Sequence, residues 1–219
     1  MYHNKPIIGI AGGIGSGKSF VARLFGEMGC LVISSDELVR QAYKDTTVKQ
    51  QLKHWWGKLV FDPAGEVDRS AVARKIFTAP SERQRLERLL HPIANQARER
   101  MMKQAADDPN VLAFVWDTPL LFETELNKLC DRLVFVDAPL ELRAARVRET
   151  RDWSQEELLQ RENLQLPLDN KRRMSHDVIV NTADADVPSA LREQVREVLS
   201  RTLAGNSAPA NQSAGLASP

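Results

Sequence analysis

The segment Gly12-Gly13-Ile14-Gly15-Ser16-Gly17-Lys18-Ser19 decides the fold of this 219-residue chain, because it matches the pattern G-x-x-x-x-G-K-[ST]. A predicted strand at 7–11 comes directly before it, and a predicted amphipathic helix follows. Glycines allow successive backbone N–H groups to converge on phosphate oxygens, and the helix N-terminus adds a partial positive charge. The sequence therefore predicts a loop that binds the phosphates of a nucleoside triphosphate.

Two side chains of this phosphate-binding loop have specific expected roles. The ammonium of Lys18 is predicted to contact the β- and γ-phosphates, and the hydroxyl of Ser19 is predicted to ligate Mg²⁺. The residues of the loop that are expected to contact the nucleotide are Gly13, Ile14, Gly15, Ser16, Gly17, Lys18 and Ser19. A nucleoside triphosphate with Mg²⁺ is the ligand that this chemistry indicates.

Short apolar runs recur along the chain and are predicted to be strands, at 7–11, 30–33, 111–116, 132–136 and 178–180. Amphipathic stretches with helical periodicity separate them. This alternation is typical of a mostly parallel sheet with helices on both faces. The predicted fold class is therefore α/β with a five-stranded sheet, and the phosphate-binding loop makes it a P-loop NTPase fold.

Two of the intervals between strands are long enough to form substructures of their own. The predicted organisation is one domain at 1–202, with a core at 1–36, 111–138 and 177–202, a helical insertion at about 37–110 and a helical lid at about 139–176. Capping-box patterns that begin at Ser81 and Ser154 predict helix starts in the insertion and in the lid. Residues 203–219 are uncharged and rich in Ala, Gly, Ser, Asn and Pro, which predicts a disordered tail.

The composition argues against several classes of protein. Thirty Lys and Arg against 29 Asp and Glu give a net charge of +1, which is unlike a dedicated nucleic-acid-binding protein. The longest apolar run, at 111–116, is far shorter than the roughly 20 residues that a membrane-spanning helix needs. Cys30 and Cys130 offer no disulfide framework, so a cytoplasmic location is expected. No feature of the sequence indicates an obligate protein partner.

Two aspartates follow predicted strands, at the sheet edge where ligands bind in such folds. Asp36 comes after the strand at 30–33, where its carboxylate is expected to accept the proton of an acceptor hydroxyl or to hold Mg²⁺ through water, the alternative being a helix N-cap. Asp117 ends the strand at 111–116 and is expected to hold Mg²⁺ through water or to be a polar strand end. Both carboxylates are therefore candidate site residues.

The predicted lid carries arginines at Arg143, Arg146, Arg148 and Arg151. Above a phosphate-binding loop they are expected to donate to a transferring phosphoryl group, the alternative being a solvated helix face. The residues leave two functions open: a kinase for a small acceptor, such as a nucleoside or a nucleotide, and a protein that senses a nucleotide without catalysis. Asp36 favours a kinase, since a sensor does not need a carboxylate on the acceptor side.

Further motifs follow the phosphate-binding loop in order along the chain. They are Ile33-Ser34-Ser35-Asp36, Val67-Asp68-Arg69, Leu89-Leu90-His91-Pro92-Ile93, Pro119-Leu120-Leu121-Phe122-Glu123, Asp137-Ala138-Pro139, the segment 165–172 and Asp177-Val178-Ile179-Val180-Asn181. Together with the loop, these motifs resemble the dephospho-coenzyme A (dephospho-CoA) kinase family over about 7–199. The Leu-Leu-His-Pro and Pro-Leu-Leu-x-Glu elements are the most specific part of this resemblance.

The resemblance implies transfer of the γ-phosphate of ATP to the ribose 3′-hydroxyl of dephospho-CoA, which gives CoA and ADP in the last step of coenzyme A synthesis. ATP and Mg²⁺ are then the implied cofactors, and ATP and dephospho-CoA are the small-molecule partners. The helical insertion corresponds to the part of the family that binds CoA. The family's carboxylate near the acceptor hydroxyl corresponds to Asp36.

The resemblance also extends to individual residues of the site. It implies acceptor contacts from Arg69, His91, Leu120 and Glu123. It further implies that Arg146 contacts phosphate during catalysis, that Asn181 lies against the adenine of ATP, and that Phe20 contacts the nucleotide beside the loop. The chain departs from the family pattern at Ser34, where many members have an aspartate, and at Phe20, where many have a hydroxyl residue.

Overall fold

The computed structural model describes residues 1–77, 79–182 and 187–206 of the chain. The strands in these ranges are Ile7–Gly12 (β1), Cys30–Ser34 (β2), Ala113–Asp117 (β3), Arg132–Asp137 (β4) and Asp177–Val180 (β5). The α-helices are Lys18–Glu27 (α1), Ser35–Ala42 (α2), Thr46–Trp56 (α3), Arg69–Phe77 (α4), Pro80–Gln104 (α5), Leu140–Arg151 (α6), Gln155–Glu162 (α7), Leu168–Arg173 (α8) and Val187–Asn206 (α9). Within these ranges, no helix is both long enough and apolar enough to cross a membrane.

The sheet has the order β2-β3-β1-β4-β5, and each pair of neighbours is parallel. All five predicted strands are confirmed, but β3 begins at Ala113 and not at 111. The N–H of Val111 donates to the carbonyl oxygen of Asp108 at 3.1 Å, so the chain is still in a turn at that point. Because all the strands are parallel, their carboxyl ends meet at one edge, where Ser34 pairs in register with Asp117.

Helices cover both faces of this sheet, as the sequence predicts. Along β1 successive side chains point to opposite faces, which is the period of a strand. Ile8 and Ile10 pack in a buried cluster with α1 and α9, whereas Ile7 packs in a second cluster with α2 and α5. The central strand is therefore buried from both sides, and the phosphate-binding loop starts from its end.

The helices α2 to α5 form a layer with a hydrophobic core of its own. Val48 and Leu52 of α3 pack against Leu86 in the first half of α5. In the second half of α5, Ala94 and Met102 pack against the sheet instead. The single helix α5 therefore ties this layer to the sheet, so that residues near its middle lie between the two cores.

The two capping-box predictions have different outcomes. At the start of α7, Ser154 accepts from the N–H of Glu157 while the carboxylate of Glu157 accepts from the N–H of Ser154, so that capping box is confirmed. The prediction for Ser81 is wrong, because α5 begins at Pro80, with Ala79 as an N-cap that makes no side-chain bond. Proline is common at the first position of a helix, because its ring fixes φ near the helical value. An N–H at that position would have no partner within the helix, so its absence costs nothing.

The predicted tail also needs a correction. Helix α9 continues to Asn206, so residues 203–206 are helical and not disordered. Leu203 packs against the cluster formed by α1 and the sheet, and this contact extends the helix beyond the predicted boundary at 202. The rest of the predicted tail, 207–219, lies outside the described residues.

Candidate active site

A cavity of about 770 Å³ lies at the carboxyl edge of the sheet, over the phosphate-binding loop. The residues around it from the loop and α1 are Ile14, Gly15, Gly17, Lys18, Ser19 and Phe20. The carboxylates Asp36 and Asp117 line it from the strand ends, and the amide of Asn181 lines it after β5. The cavity thus brings together most of the predicted nucleotide-binding residues and both candidate carboxylates.

The loop has a backbone conformation that its glycines make possible. Gly15 and Gly17 have φ of +77° and +89°, in the left-handed region that residues with a side chain rarely adopt. A Cβ atom at Gly15 would lie 2.7 Å from the backbone oxygen of Arg143, which cannot move aside. Helix α1 begins directly after Gly17 without a side-chain cap, so its first N–H groups are available to an anion.

Lys18 is held against the loop by neutral groups. Its ammonium donates to the carbonyl oxygens of Gly12 at 3.0 Å and Gly13 at 2.7 Å, and no carboxylate of the described residues forms an ion pair with it. Burial lowers the pKa of Lys18 from 10.5 to about 8, although the nearby Asp117 carboxylate acts in the opposite direction. The ammonium is therefore a partly buried cation at the cavity wall, with room for a stronger partner such as a phosphate.

Asp117, Ser19 and Asp36 form the acidic side of the cavity. Asp117 is buried, and burial raises its pKa, while a hydrogen bond with Ser19 and the charge of Lys18 lower it. The described residues contain no cluster of three or more His, Cys, Asp or Glu side chains that could hold a metal alone. A hydroxyl and two carboxylates suit a Mg²⁺ ion that takes its other ligands from phosphates and water.

The structure tests the N-cap interpretation of Asp36. Helix α2 begins at Ser35, and its N-cap is Ser34, whose hydroxyl oxygen accepts from the N–H of Glu37 at 3.4 Å. Asp36 lies in the first turn and is exposed, so the N-cap interpretation for this residue is wrong. Its carboxylate lines both this cavity and a smaller one next to it, and it stands where the two meet.

Arg146 of α6 and Asn181, which follows β5, both form hydrogen bonds with the phosphate-binding loop. The guanidinium of Arg146 donates to the carbonyl oxygens of Gly15 at 3.3 Å and Ser16 at 3.2 Å, and to the side-chain oxygen of Asn181 at 3.3 Å. The Asn181 amide is buried and donates to the carbonyl oxygen of Ser16 at 2.7 Å. Both residues predicted for nucleotide contact therefore lie on the loop.

Arg143 has a different partner from the other lid arginines. It pairs with Glu162 of α7 at 2.5 Å; Arg143 is buried, and 11% of the Glu162 side chain is exposed. The carboxylate of Glu162 also accepts from the N–H of Ile14 at 2.8 Å. This ion pair therefore joins α6, α7 and the phosphate-binding loop, and Arg143 does not line the cavity.

Replacing Glu162 by alanine is expected to lower the free energy of unfolding by about 3–5 kcal/mol, because it leaves the buried cation of Arg143 unpaired. The exposed pair Arg83–Glu87 offers a matched control, since Glu87→Ala is expected to cost less than about 1 kcal/mol. Urea unfolding of the variants gives both values. Equal losses of unfolding free energy for the two variants would show that the Arg143–Glu162 pair stabilises the fold no more than an exposed pair does.

Two arginines of the cavity were not predicted from the sequence. Arg161 of α7 lines the cavity with its guanidinium 4.0 Å from the centre of the Trp153 ring, and Arg83 of α5 lines it from the insertion side. The chain reverses at Asp152, whose backbone is left-handed, and this turn brings α7 back over the loop. No spacing in the sequence indicates these two residues, because each reaches the site through tertiary packing.

The residues predicted for the acceptor are divided between two places. His91 lines the smaller cavity, of about 230 Å³, whereas Leu120 lines both cavities, as Asp36 does. Arg69 is exposed at the start of α4 and lines neither cavity. Glu123 also lies outside both, where it pairs with the buried Lys171 at 2.8 Å.

Comparisons with known proteins identify the family of this chain. The family model for dephospho-CoA kinase matches residues 6–186. Dephospho-CoA kinases from Leptospira interrogans and Mannheimia succiniciproducens are 32% and 34% identical over 198 and 200 residues; each alignment covers 90% of this chain, and 93% and 91% of the relatives. The crystal structure of TT1252 from Thermus thermophilus has a TM-score of 0.74 at 33% identity, covering 90% of this chain and 97% of that one. The chain belongs to the dephospho-CoA kinase family, whose reaction is the phosphorylation of dephospho-CoA in the last step of coenzyme A biosynthesis.

Proposed function

We propose that the chain transfers the γ-phosphoryl group of ATP to the ribose 3′-hydroxyl of dephospho-CoA in the cavity that Lys18 and Asp36 line together. The observation that carries this proposal is the position of Asp36 at the junction of two cavities. The larger cavity contains the phosphate-binding loop, and the smaller one contains no part of that loop. ATP in the larger cavity and dephospho-CoA in the smaller one can therefore reach the Asp36 carboxylate from different sides.

On the donor side, the N–H groups of the loop and of the start of α1 bind the phosphates of ATP. Lys18 leaves the carbonyl oxygens of Gly12 and Gly13 and contacts the β- and γ-phosphates, where its charge is better balanced. Mg²⁺ bound with ATP would neutralise phosphate charge, with Ser19 as a direct ligand and Asp36 or Asp117 acting through water.

On the acceptor side, the carboxylate of Asp36 accepts the proton of the 3′-hydroxyl as its oxygen attacks the γ-phosphorus. The new oxygen–phosphorus bond forms while the bond to the β-phosphate oxygen breaks, and ADP leaves with that oxygen. His91 and Leu120 contact the acceptor from the smaller cavity. Arg69 and Glu123 remain predictions as acceptor-binding residues, because neither lines a cavity in this structure.

On the lid side, Arg146 supplies hydrogen bonds to the charge that spreads over the transferring phosphoryl group. Asn181 lies beside it, next to the expected adenine position. A lid over the cavity also excludes water, which would otherwise accept the phosphoryl group in place of the sugar hydroxyl. We assign the reaction to the cytoplasm, because a reducing compartment suits the two free cysteines, Cys30 and Cys130.

The low pKa of Lys18 predicts that kcat/KM for ATP depends on pH. Above pH 8 the free enzyme loses the ammonium proton, so kcat/KM for ATP is expected to fall about tenfold per pH unit. Bound phosphates stabilise the cation and raise its pKa, so kcat at saturating ATP is expected to stay level to higher pH. Lys18→Arg keeps its charge throughout this range and is expected to show no such fall; a fall of equal size in that variant would assign the titration to another group.

The position of the new phosphate tests the proposed function directly. Phosphorus NMR of the product distinguishes a 3′-phosphate from a 2′-phosphate through coupling to the ribose protons. The proposal expects the 3′-phosphate alone. A 2′-phosphate, or a mixture of the two, would contradict the assignment of Asp36 as the base for a single hydroxyl.

A further inference from the structure

The smaller cavity contains a buried arginine that the reaction described above does not use. Arg98, in the second half of α5, lines this cavity and is only 6% exposed. Asp36 is the other lining residue with a formal charge, and it stands at the junction with the larger cavity. The rest of the wall is apolar or polar and includes the imidazole of His91, so Arg98 is the permanently charged cation of this cavity.

Each partner of the Arg98 guanidinium is neutral. One terminal nitrogen donates to the side-chain oxygen of Asn95 at 2.8 Å, and the other donates to the hydroxyl oxygen of Ser35 at 3.0 Å. The guanidinium lies over the Trp116 ring, 4.8 Å from its centre. Its Nε is buried and has no hydrogen-bond partner, and no carboxylate in the described part of the chain forms an ion pair with it.

The charge of Arg98 is therefore left uncompensated in the protein alone. Burial lowers the pKa of the Arg98 guanidinium, because a site removed from water disfavours the cation. The nearest thiol does not balance it, because burial raises the pKa of Cys130 to about 12 and keeps that group neutral. A buried cation without a counterion is unfavourable, and an anionic ligand in the adjoining cavity would supply the missing charge.

We propose that the smaller cavity binds the 5′-diphosphate of dephospho-CoA, with Arg98 as the cation that recognises it. This inference rests on the proposed function, because that function places the ribose 3′-hydroxyl at Asp36. The diphosphate is the anionic group of that acceptor, and only a few bonds separate the 3′-oxygen from the 5′-phosphate. An acceptor held at Asp36 therefore has its phosphates within reach of the same cavity.

The neighbours of Arg98 support a phosphate rather than a neutral group. The hydroxyls of Ser35 and Thr118 lie 2.8 Å apart, and both residues line the cavity beside the guanidinium. Hydroxyl and guanidinium donors in one small cavity are suited to phosphate oxygens. A neutral base or the pantetheine arm would leave the cation uncompensated.

The test compares Arg98→Met with the unsubstituted full-length chain. Methionine keeps much of the apolar volume over Trp116 but removes the charge. The KM for dephospho-CoA is expected to rise about 10- to 100-fold, as expected for loss of hydrogen bonds to a charged group. The KM for ATP and the inhibition constant of adenosine, which has no phosphate, are expected to stay unchanged.

Two further variants separate recognition from folding. Arg98→Lys keeps a cation and is expected to recover part of the affinity for dephospho-CoA. Arg100→Met, an exposed residue of the same helix, is the matched control and is expected to change neither constant. An unchanged KM for dephospho-CoA in Arg98→Met, or an equal weakening of adenosine inhibition, would overturn the proposal.

A measurement on the unsubstituted chain does not depend on any variant folding. Inorganic pyrophosphate, added at saturating ATP, is expected to compete with dephospho-CoA; an absence of competition would overturn the diphosphate site. Turnover of dephospho-CoA by the same chain tests the proposed function separately. If turnover occurs but Arg98→Met leaves the KM unchanged, only the diphosphate site fails, whereas an absence of turnover removes the proposed function itself.

Discussion

Replacement of Lys18 by alanine is expected to slow phosphoryl transfer to dephospho-CoA by about 10³-fold or more, because the charge on the β- and γ-phosphates loses the ammonium partner that the loop supplies. The phosphate-binding N–H groups belong to the backbone and remain in the variant. ATP binding is therefore expected to weaken less than kcat falls. Steady-state kinetics of the variant, combined with direct measurement of ATP affinity, separates these two effects.

The control for this variant is Lys58→Ala, which removes an exposed ammonium from the insertion. That change is expected to leave kcat and both KM values as they are. If Lys18→Ala kept kcat within a few-fold of the unsubstituted chain, the ammonium would not stabilise the transferring phosphoryl group. The site would then have to use another cation of the cavity, and Arg151 and Arg161 are the next to examine.

Replacement of Asp36 by asparagine is expected to lower kcat by roughly 10²- to 10⁴-fold, because the amide keeps the shape of the side chain but cannot accept the hydroxyl proton. The KM for ATP is expected to change little, since the phosphate-binding loop is untouched. Helix α2 is also expected to survive, because its N-cap is Ser34 and not Asp36. Rapid-quench kinetics of a single turnover measures the transfer step itself.

The neighbouring carboxylate provides the control for Asp36. Glu37 is also in the first turn of α2, where it pairs with Arg40 at 2.9 Å, and it lines neither cavity. Glu37→Gln changes the helix charge by the same amount and is expected to keep full kcat. Equal losses in both variants would indicate an effect on α2, and near-normal turnover in Asp36→Asn would show that another group takes the proton.

The sequence predicts the sheet and the loop well because both depend on local patterns. The central strand is an apolar run followed at once by glycines, and its burial from both sides follows from that composition. Lys18 and Ser19 were predicted from the loop pattern itself, and Asp36 and Asp117 from their positions after strands, because parallel strands bring their carboxyl ends together.

Residues that reach the site across long distances in the chain could not be predicted in this way. Arg161 lines the nucleotide cavity because the chain reverses at Asp152, and Arg98 lines the smaller one because α5 crosses from the insertion to the sheet. Both are ordinary arginines within helical segments, without a motif around them. Whether such an arginine reaches a cavity depends on which face of its helix packs against the rest of the protein, and the local sequence does not determine that.

The exact start of a helix is also difficult to predict from the local sequence. Ser34 and Asp36 are both suitable N-caps, and the choice between them depends on where the chain leaves β2. The register of β2 with β3 extends the strand to Ser34, which makes that residue the cap and leaves Asp36 exposed. To distinguish Ser34, which caps the helix, from Asp36, which is a candidate catalytic residue, one therefore needs the strand pairing as well as the local sequence.

The most direct test of the account is ADP release from ATP and Mg²⁺ with dephospho-CoA, AMP or adenosine as the acceptor, with each product identified by mass. Rapid release is expected with dephospho-CoA, together with formation of CoA, and much slower release is expected when the acceptor lacks the diphosphate. Preferred turnover of AMP or adenosine, or release at the same rate without any acceptor, would contradict it.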